Sequence, residues 1–343
     1  MRVSLRLMID LDRPWLSVLI PVYNVEAYLQ DCVDSVIAQA AAGIEVLLLD
    51  DAATDASPAL MRIIAAENPG VVRLIAHPQN RGLAAARNTL VTQARGSYVW
   101  FLDSDDLLLP GAIAALESVI KAHAPDLVLC DFAYVRERQR LKHRLRGEGH
   151  QRTFDFPMKL PSQDRAKLLE GLLSRGELHA WSKIARRHVW QQAPFPDGRF
   201  FEDMPTIPAL IKATNSFIYV CQPWVGYRQR AGSILSQYNA LKLQHLLLSV
   251  TELNQSARQL SAERKLGCEA NIEDFCLRSL GSAARHIARM EADAGIALAA
   301  SYQAVLPELF PSGVARVLKR WWRSGWWLRA IRIQLRLKKA KIV

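Results

Sequence analysis

Three carboxylates, Asp103, Asp105 and Asp106, stand directly after the apolar run Tyr-Val-Trp-Phe-Leu at 98–102. Acids crowded at the end of a strand repel one another and lose hydration, and a divalent cation relieves both costs. A hard cation such as Mg2+ or Mn2+ takes one or two protein carboxylates and fills its other positions with water and phosphate oxygens. This stretch is therefore the expected place for a metal and a diphosphate; a solvated Asp turn capping the next helix is the plainer alternative. A second acidic pair, Asp50 and Asp51, closes the run Glu-Val-Leu-Leu-Leu at 45–49, and a third, Glu202 and Asp203, follows a loop marked by Pro194, Pro196 and Gly198.

The elements that must position these acids are legible as alternating periods. Strand-like runs at 16–22, 45–49, 71–76, 98–102 and 126–130 are separated by helix-like stretches at 26–39, after Ser57-Pro58, at 83–93 and at 110–121. In the first helix Tyr28, Leu29, Cys32, Val33, Val36 and Ile37 recur at three and four. Strict alternation of this length predicts an α/β fold, a mostly parallel sheet with helices on both faces. Ligands of such sheets bind outside the carboxyl ends of the strands, so Asp50, Asp51, Asp103 and Asp105 are expected on one rim. A dinucleotide-binding oxidoreductase would use the same rim but needs a glycine-rich turn after its first strand, and Pro21-Val22-Tyr23-Asn24-Val25-Glu26 contains no glycine.

Beyond that half, residues 136–165 are polar and basic, a solvated connection or a lid. Helices are predicted at 166–173, 179–190 and 241–306, with another opening at 200–203. The five cysteines are widely spaced without a C-x-x-C pair and read as reduced, mostly buried small hydrophobes. The histidines show no ligand spacing.

The net charge of +11 is uneven, because residues 311–343 hold ten Lys and Arg and no acid. Arg316, Lys319, Arg320 and Arg323 share one side of a helix opposite Val317, Leu318, Trp321 and Trp322. After Ser324-Gly325 a new basic stripe, Arg329, Arg332, Arg336 and Lys339, opposes Trp326, Trp327, Ile331, Ile333 and Leu337. Two short amphipathic helices broken at glycine are expected. Tryptophan beside lysine and arginine suits an anionic membrane surface; packing on the protein itself and nucleic acid rank behind it. With no signal-like N-terminus and no apolar run near the roughly 20 residues a span requires, the expected location is cytosolic, peripheral on the inner face of a membrane.

With these segments in place, the chain resembles a family 2 glycosyltransferase with a GT-A, nucleotide-diphospho-sugar-binding fold. The matching stretches stand in the family's order: Ser17-Val18-Leu19-Ile20-Pro21-Val22-Tyr23-Asn24, Asp50-Asp51-Ala52-Ala53-Thr54-Asp55, Asn80-Arg81-Gly82-Leu83-Ala84-Ala85-Ala86-Arg87-Asn88 and Phe101-Leu102-Asp103-Ser104-Asp105-Asp106, then Trp181-Ser182-Lys183-Ile184 and Phe201-Glu202-Asp203. The resemblance covers about residues 16–236. It implies that Pro21, Tyr23 and Asp51 hold the nucleobase and that Arg87 and Asn88 shape the nucleotide site. Asp103 would meet the ribose or the metal, and Asp105 would be the principal ligand of a divalent Mn2+ or Mg2+. It further implies Asp203 as general base of an inverting transfer, with Glu202 in reserve. Trp181 would stack on a sugar, and Lys183, Arg228 or Arg230 would meet phosphate. One departure from the family is Ala52-Ala53, where Gly-Ser is usual: a positive φ there costs alanine on the order of 1 kcal/mol.

The expected division is an extension at 1–14, a nucleotide-sugar-binding half at 15–135, an acceptor and catalytic-base half at 136–240, a helical region at 241–310 and the basic Trp-rich tail at 311–343. The expected activity is transfer of a sugar from a nucleoside diphosphate, a UDP-sugar for preference, to a hydroxyl of a glycan or lipid-linked glycan in cell-surface polysaccharide synthesis. Sugar-phosphate nucleotidyl transfer and an inert membrane- or RNA-associated scaffold are the alternatives; the former usually needs a glycine- and basic-rich phosphate loop near the first strand, which this chain lacks.

Overall fold

The computed structural model describes residues 13–136, 147–156, 158, 160–229 and 238–343. The first twelve residues, residues 137–146, 157 and 159 of the stretch expected as a loop or lid, and residues 230–237, Arg230 among them, lie outside the described residues. The chain forms two compact units that interleave along the sequence: one holds residues up to 151 with 180–192 and 220–228, the other 152–179, 193–219 and 229 onward.

In the first unit, β1 (Leu16–Val22) is buried at every position, as a strand covered on both faces must be. It is followed by α1 (Leu29–Ile37), β2 (Ile44–Asp50), α2 (Ser57–Glu67), β3 (Val72–Ala76), α3 (Leu83–Gln93), β4 (Tyr98–Phe101), β5 (Leu107–Leu108), α4 (Ala112–His123) and β6 (Leu127–Val135). Pro58 sits in the first turn of α2, where its missing N–H breaks no bond. Strands β3, β2, β1 and β4 pair in parallel, the expected half of the sheet. The remaining half is antiparallel where its registers are defined: β7 (Lys183–Arg186) lies between β4 and β6, and β8 (Phe217–Arg228) pairs with β5. The sheet order is β3-β2-β1-β4-β7-β6-β8-β5.

Strand β7 corrects the helix expected over 179–190. The apolar spacing of Trp181, Ile184, Ala185 and Val189 suits a helix, but a short apolar run fits either period. Here neighbours on both edges supply ladder bonds, leaving a 3-10 turn (Ala180–Ser182), the four-residue strand and a short α6 (Arg187–Gln191).

The second unit contains α5 (Arg165–Arg175) and α7 (Asp203–Ala213), and the stretch expected as helix at 241–306 divides into α8 (Ala240–Arg264), α9 (Glu269–Ile287) and α10 (Ala292–Ala304). The first break is a left-handed cap, Lys265 at φ +54° with Gly267 at +70°. After the single turn α11 (Leu306–Leu309), the tail forms α12 (Val314–Arg323) and α13 (Trp327–Lys339), divided at Gly325 as the pattern required. The tail is docked. Arg320 reaches Glu273 at 3.1 Å and Asp274 at 2.6 Å on α9, and the Trp321 indole N–H donates to Asp274 at 2.7 Å. Gly281 of α9 leaves room for Ile333. This docking splits the apolar stripe read from periodicity: Val317, Leu318, Trp321, Ala330, Ile333 and Leu337 are buried, while Trp322, Trp326, Trp327 and Ile331 are exposed.

Candidate active site

Register places the acids. Val22 is paired with Asp50, and Asp51 N–H donates to the Val22 carbonyl at 2.9 Å; Leu19 is paired with Phe101, and Leu102 N–H donates to Leu19 at 3.0 Å. The carboxyl ends of β1, β2 and β4 therefore share one edge, which carries Tyr23, Asp51 and Asp103. Pro21 is buried beneath it and Tyr23 is 46% exposed.

Asp51 is buried and already engaged. Its carboxylate accepts from the His77 ring at 2.6 Å and from the backbone N–H groups of Arg81 at 2.9 Å and Gly82 at 2.8 Å. The Asn80 side chain donates to its carbonyl at 3.2 Å. The turn Asn80-Arg81-Gly82 is thus tied to the end of β2, and α3 starts from it with Arg87 and Asn88 about one turn inside. His77, which also meets Thr89 Oγ1 at 2.9 Å, is a positioning residue that the pattern of the sequence did not single out. Ala52, next to Asp51, takes φ +57°, the left-handed region in which the family's glycine would be at ease.

Arg87 is almost wholly buried. Its guanidinium donates to Asp103 Oδ1 at 2.9 Å and lies 5.9 Å over the Phe101 ring, which leaves the Asp103 side chain 28% exposed. Asp105 is half-buried and Asp106 fully buried. Arg228, at the end of β8, clamps this loop: its N–H donates to Asp106 Oδ1 at 2.8 Å, its Nε to the Asp105 carbonyl at 3.0 Å and its Nη2 to Asp31 at 3.1 Å. Asp106 Oδ2 is buried with no hydrogen-bond partner among the described residues. Burial first, then the charges of Asp103 and Asp105, push the Asp106 carboxyl well above the usual carboxylate range. The Tyr227 phenol is pushed up by burial and then by the same three acids. A set of crowded carboxylate oxygens, one of them orphaned, fits a hard divalent cation, whose charge would remove that repulsion.

Aromatic rings border the acids. Trp181 is buried, with its carbonyl accepting from the Trp100 indole at 2.9 Å and its ring 5.1 Å from Phe132 and 5.8 Å from Tyr227. Tyr134 and Tyr227, 5.7 Å apart, are only half-buried, and neither stood out in the sequence. Lys183 is fully buried, its ammonium donating to Ser182 Oγ at 3.0 Å.

In the second unit, Asp203 is the first residue of α7 and half-buried, with Glu202 buried at the cap. Phe201, immediately before them, has φ +63°, unusual for a bulky side chain and a form of strain that gathers at functional sites. The segment is anchored to α8: Arg199 makes two bonds to Glu252 at 2.8 and 2.5 Å, and Phe200 N–H donates to His245 Nδ1 at 3.2 Å.

Residues 17–174, which carry the rim acids, match the family model described as glycosyl transferase family 2. Over that stretch the chain is similar to the family 2 glycosyltransferases. Glycosyltransferase GlyA of Streptococcus pneumoniae serotype 4 is 28% identical over 241 residues, covering 68% of this chain and 33% of GlyA, so the chain spans about a third of that relative's length. Among solved structures, S. aureus TarS 1–349 in complex with UDP superimposes with a TM-score of 0.64 at 17% identity, covering 95% of this chain and 91% of TarS 1–349. Mannosyltransferase PcManGT of Pyrobaculum calidifontis, in complex with GDP-Man and Mn2+, gives 0.52 at 18% identity over 95% of this chain and 87% of its own. These structural similarities show a GT-A fold.

Proposed function

We propose that the protein is an inverting, metal-dependent glycosyltransferase that moves a sugar from a nucleoside diphosphate, a UDP-sugar for preference, to a hydroxyl of a glycan or lipid-linked glycan in polysaccharide synthesis. The observation that carries this reading is the shared edge of β1, β2 and β4, with Asp51, Asp103 and the Asp105–Asp106 loop inside the region matching the family. That TarS binds UDP and PcManGT binds GDP-Man with Mn2+ supports the choice of donor class and of cation.

In this reading Asp105 and Asp103 hold the cation and Arg87 orients Asp103 by its charged hydrogen bond. Bound there, the cation would offset the charge that develops on a departing diphosphate. Pro21, Tyr23 and the edge at Asp51 receive the base; Arg87 and Asn88 shape the nucleotide site from α3. Trp181 and Lys183 form the buried support of an aromatic wall whose half-exposed rings, Tyr134 and Tyr227, meet the sugar. Asp203 takes the proton of the acceptor hydroxyl, because inversion requires a base on the face opposite the leaving group; Glu202 is the alternative base.

The tail supports a membrane-surface location. Trp322, Trp326, Trp327, Leu328, Ile331 and Leu335 are exposed on helices that also expose Arg323, Arg329, Arg332 and Lys339, and residues 311–343 contain no acid. Burial and then the neighbouring charges of Arg285 and Arg332 lower the Arg336 pKa, so this cluster gains from anionic headgroups. None of the described helices is long and apolar enough to cross a bilayer, which fits binding along the surface.

The deciding experiment is a thermal-shift screen of nucleotide-sugars with Mn2+, followed by transfer assays on the donor found. A donor should raise the melting temperature of the protein and of Asp203→Asn, while Asp203→Asn loses transfer and Asp105→Ala loses the Mn2+-dependent shift. Full turnover in Asp203→Asn refutes the base, and activity that resists EDTA refutes the metal. The absence of any donor shift favours an inert fold.

A further inference from the structure

Outside this edge, the sheet brings together three ligand types far apart in sequence. Asp131 on β6, His150 in the segment paired alongside it and Cys221 on β8 place one ligand atom each within 4.8 Å of one another. The segment at 147–151 is held against β6 by paired bonds between Phe132 and Gln151, at 3.2 and 2.7 Å, and by Tyr134 N–H donating to Glu148 at 2.8 Å. Asp131 is fully buried, and its Oδ2 lies 2.6 Å from His150 Nε2. The imidazole is 42% exposed and Cys221 is exposed, so an ion in solution can reach both.

We propose that Asp131, His150 and Cys221 form a zinc site, with water at the fourth position. The donor set is one oxygen, one imidazole nitrogen and one sulfur, which suits borderline-soft Zn2+ and not the hard Mg2+ or Mn2+ favoured by the all-carboxylate loop at Asp103–Asp106. A tetrahedral zinc sets its ligands about 3.3–3.8 Å apart from the usual bond lengths, a range compatible with three ligand atoms within 4.8 Å of one another, and the 2.6 Å His150–Asp131 contact must open to reach it. On binding, the Cys221 thiol gives its proton to solvent and its sulfur becomes a ligand. His150 coordinates as the neutral imidazole and gives up its contact with Asp131, whose buried carboxylate then faces the metal. The bound ion ties the 147–151 segment to β6 and β8, and affinity falls as pH drops because protons compete for the same atoms.

The zinc proposal stands apart from the assignment of a sugar donor. Its test uses the full chain stripped with a chelator, then given ZnCl2 or CoCl2. The expected result is one Zn2+ per chain, a higher melting temperature, and a thiolate-to-cobalt charge-transfer band. That band must come from Cys221, since the other four cysteines are buried. Cys221→Ser should abolish the band, and Cys221→Ser and His150→Ala should each weaken zinc binding by more than about 100-fold, beyond what loss of an outer-shell partner causes. Cys221→Ser alters an exposed side chain and leaves the Asp131–His150 contact in place, so it separates loss of a ligand from a disturbed core, and Asp105→Ala should leave zinc binding intact. Sub-stoichiometric zinc, a band that survives in Cys221→Ser, or zinc lost with Asp105→Ala overturns the site.

Discussion

Ala52 offers a measurement of backbone strain at the strand edge beside Asp51. Its φ of +57° places a Cβ where the left-handed conformation costs an L-residue roughly 1–2 kcal/mol. Ala52→Gly removes that cost, but glycine also gives the unfolded chain more freedom, worth about 0.4–1 kcal/mol in the opposite direction. Relief is the larger effect, so the variant should be more stable by about 0.5–1 kcal/mol, which for a domain the size of the first unit raises the melting temperature by about 1–4 °C. Ala52→Asn should fall between, because a short polar side chain tolerates this region, and Ala52→Val should be less stable than the parent. Thermal unfolding of the four proteins under one buffer tests the ranking Gly, Asn, Ala, Val. If Ala52→Gly melts at or below the parent, or Ala52→Val melts with it, the backbone at this position is not strained and the argument fails.

Other expectations concern the second unit. Gly171→Ala should destabilise by about 1–2 kcal/mol in urea unfolding although alanine favours helices by nearly 1 kcal/mol, because the new Cβ would overlap the buried Phe154 ring, which Phe217 and Tyr219 hold in place; an unchanged midpoint would show that the ring can give way. His286, stacked 4.1 Å from Tyr238, has its pKa lowered by burial and then by Arg285 and Arg289. Its neutral form therefore favours folding above the ordinary imidazole value of about 6.5, and that contribution is lost as pH falls through it toward the lower folded value. Stability of the parent should drop more steeply than that of His286→Phe from pH 7 to 5; parallel curves would reject the assignment. Replacing Trp327, Leu328 and Leu335 together by Ser should abolish sedimentation with phosphatidylserine vesicles without changing the melting temperature, since all three are exposed; undiminished sedimentation would remove the membrane from the proposal.

The features legible in the chain are those that neighbouring residues enforce. Apolar period and turn residues located the parallel half of the sheet, the acids at its strand ends and the two tail helices divided at Gly325. Short segments escaped this reasoning: Lys183–Arg186 is a strand because two neighbours offer it ladder bonds, and no local spacing encodes that. The same holds for charge. Arg228 meets Asp106 across 122 residues, Asp51 meets the turn at 81–82 across about 30, and Asp131, His150 and Cys221 share no sequence spacing at all. Period and propensity report what a segment does against an average surface. Which tryptophans of the tail are buried, which carboxylate keeps an orphan oxygen and which side chains gather at one point depend on contacts between distant segments, and those exist only once the chain has closed on itself.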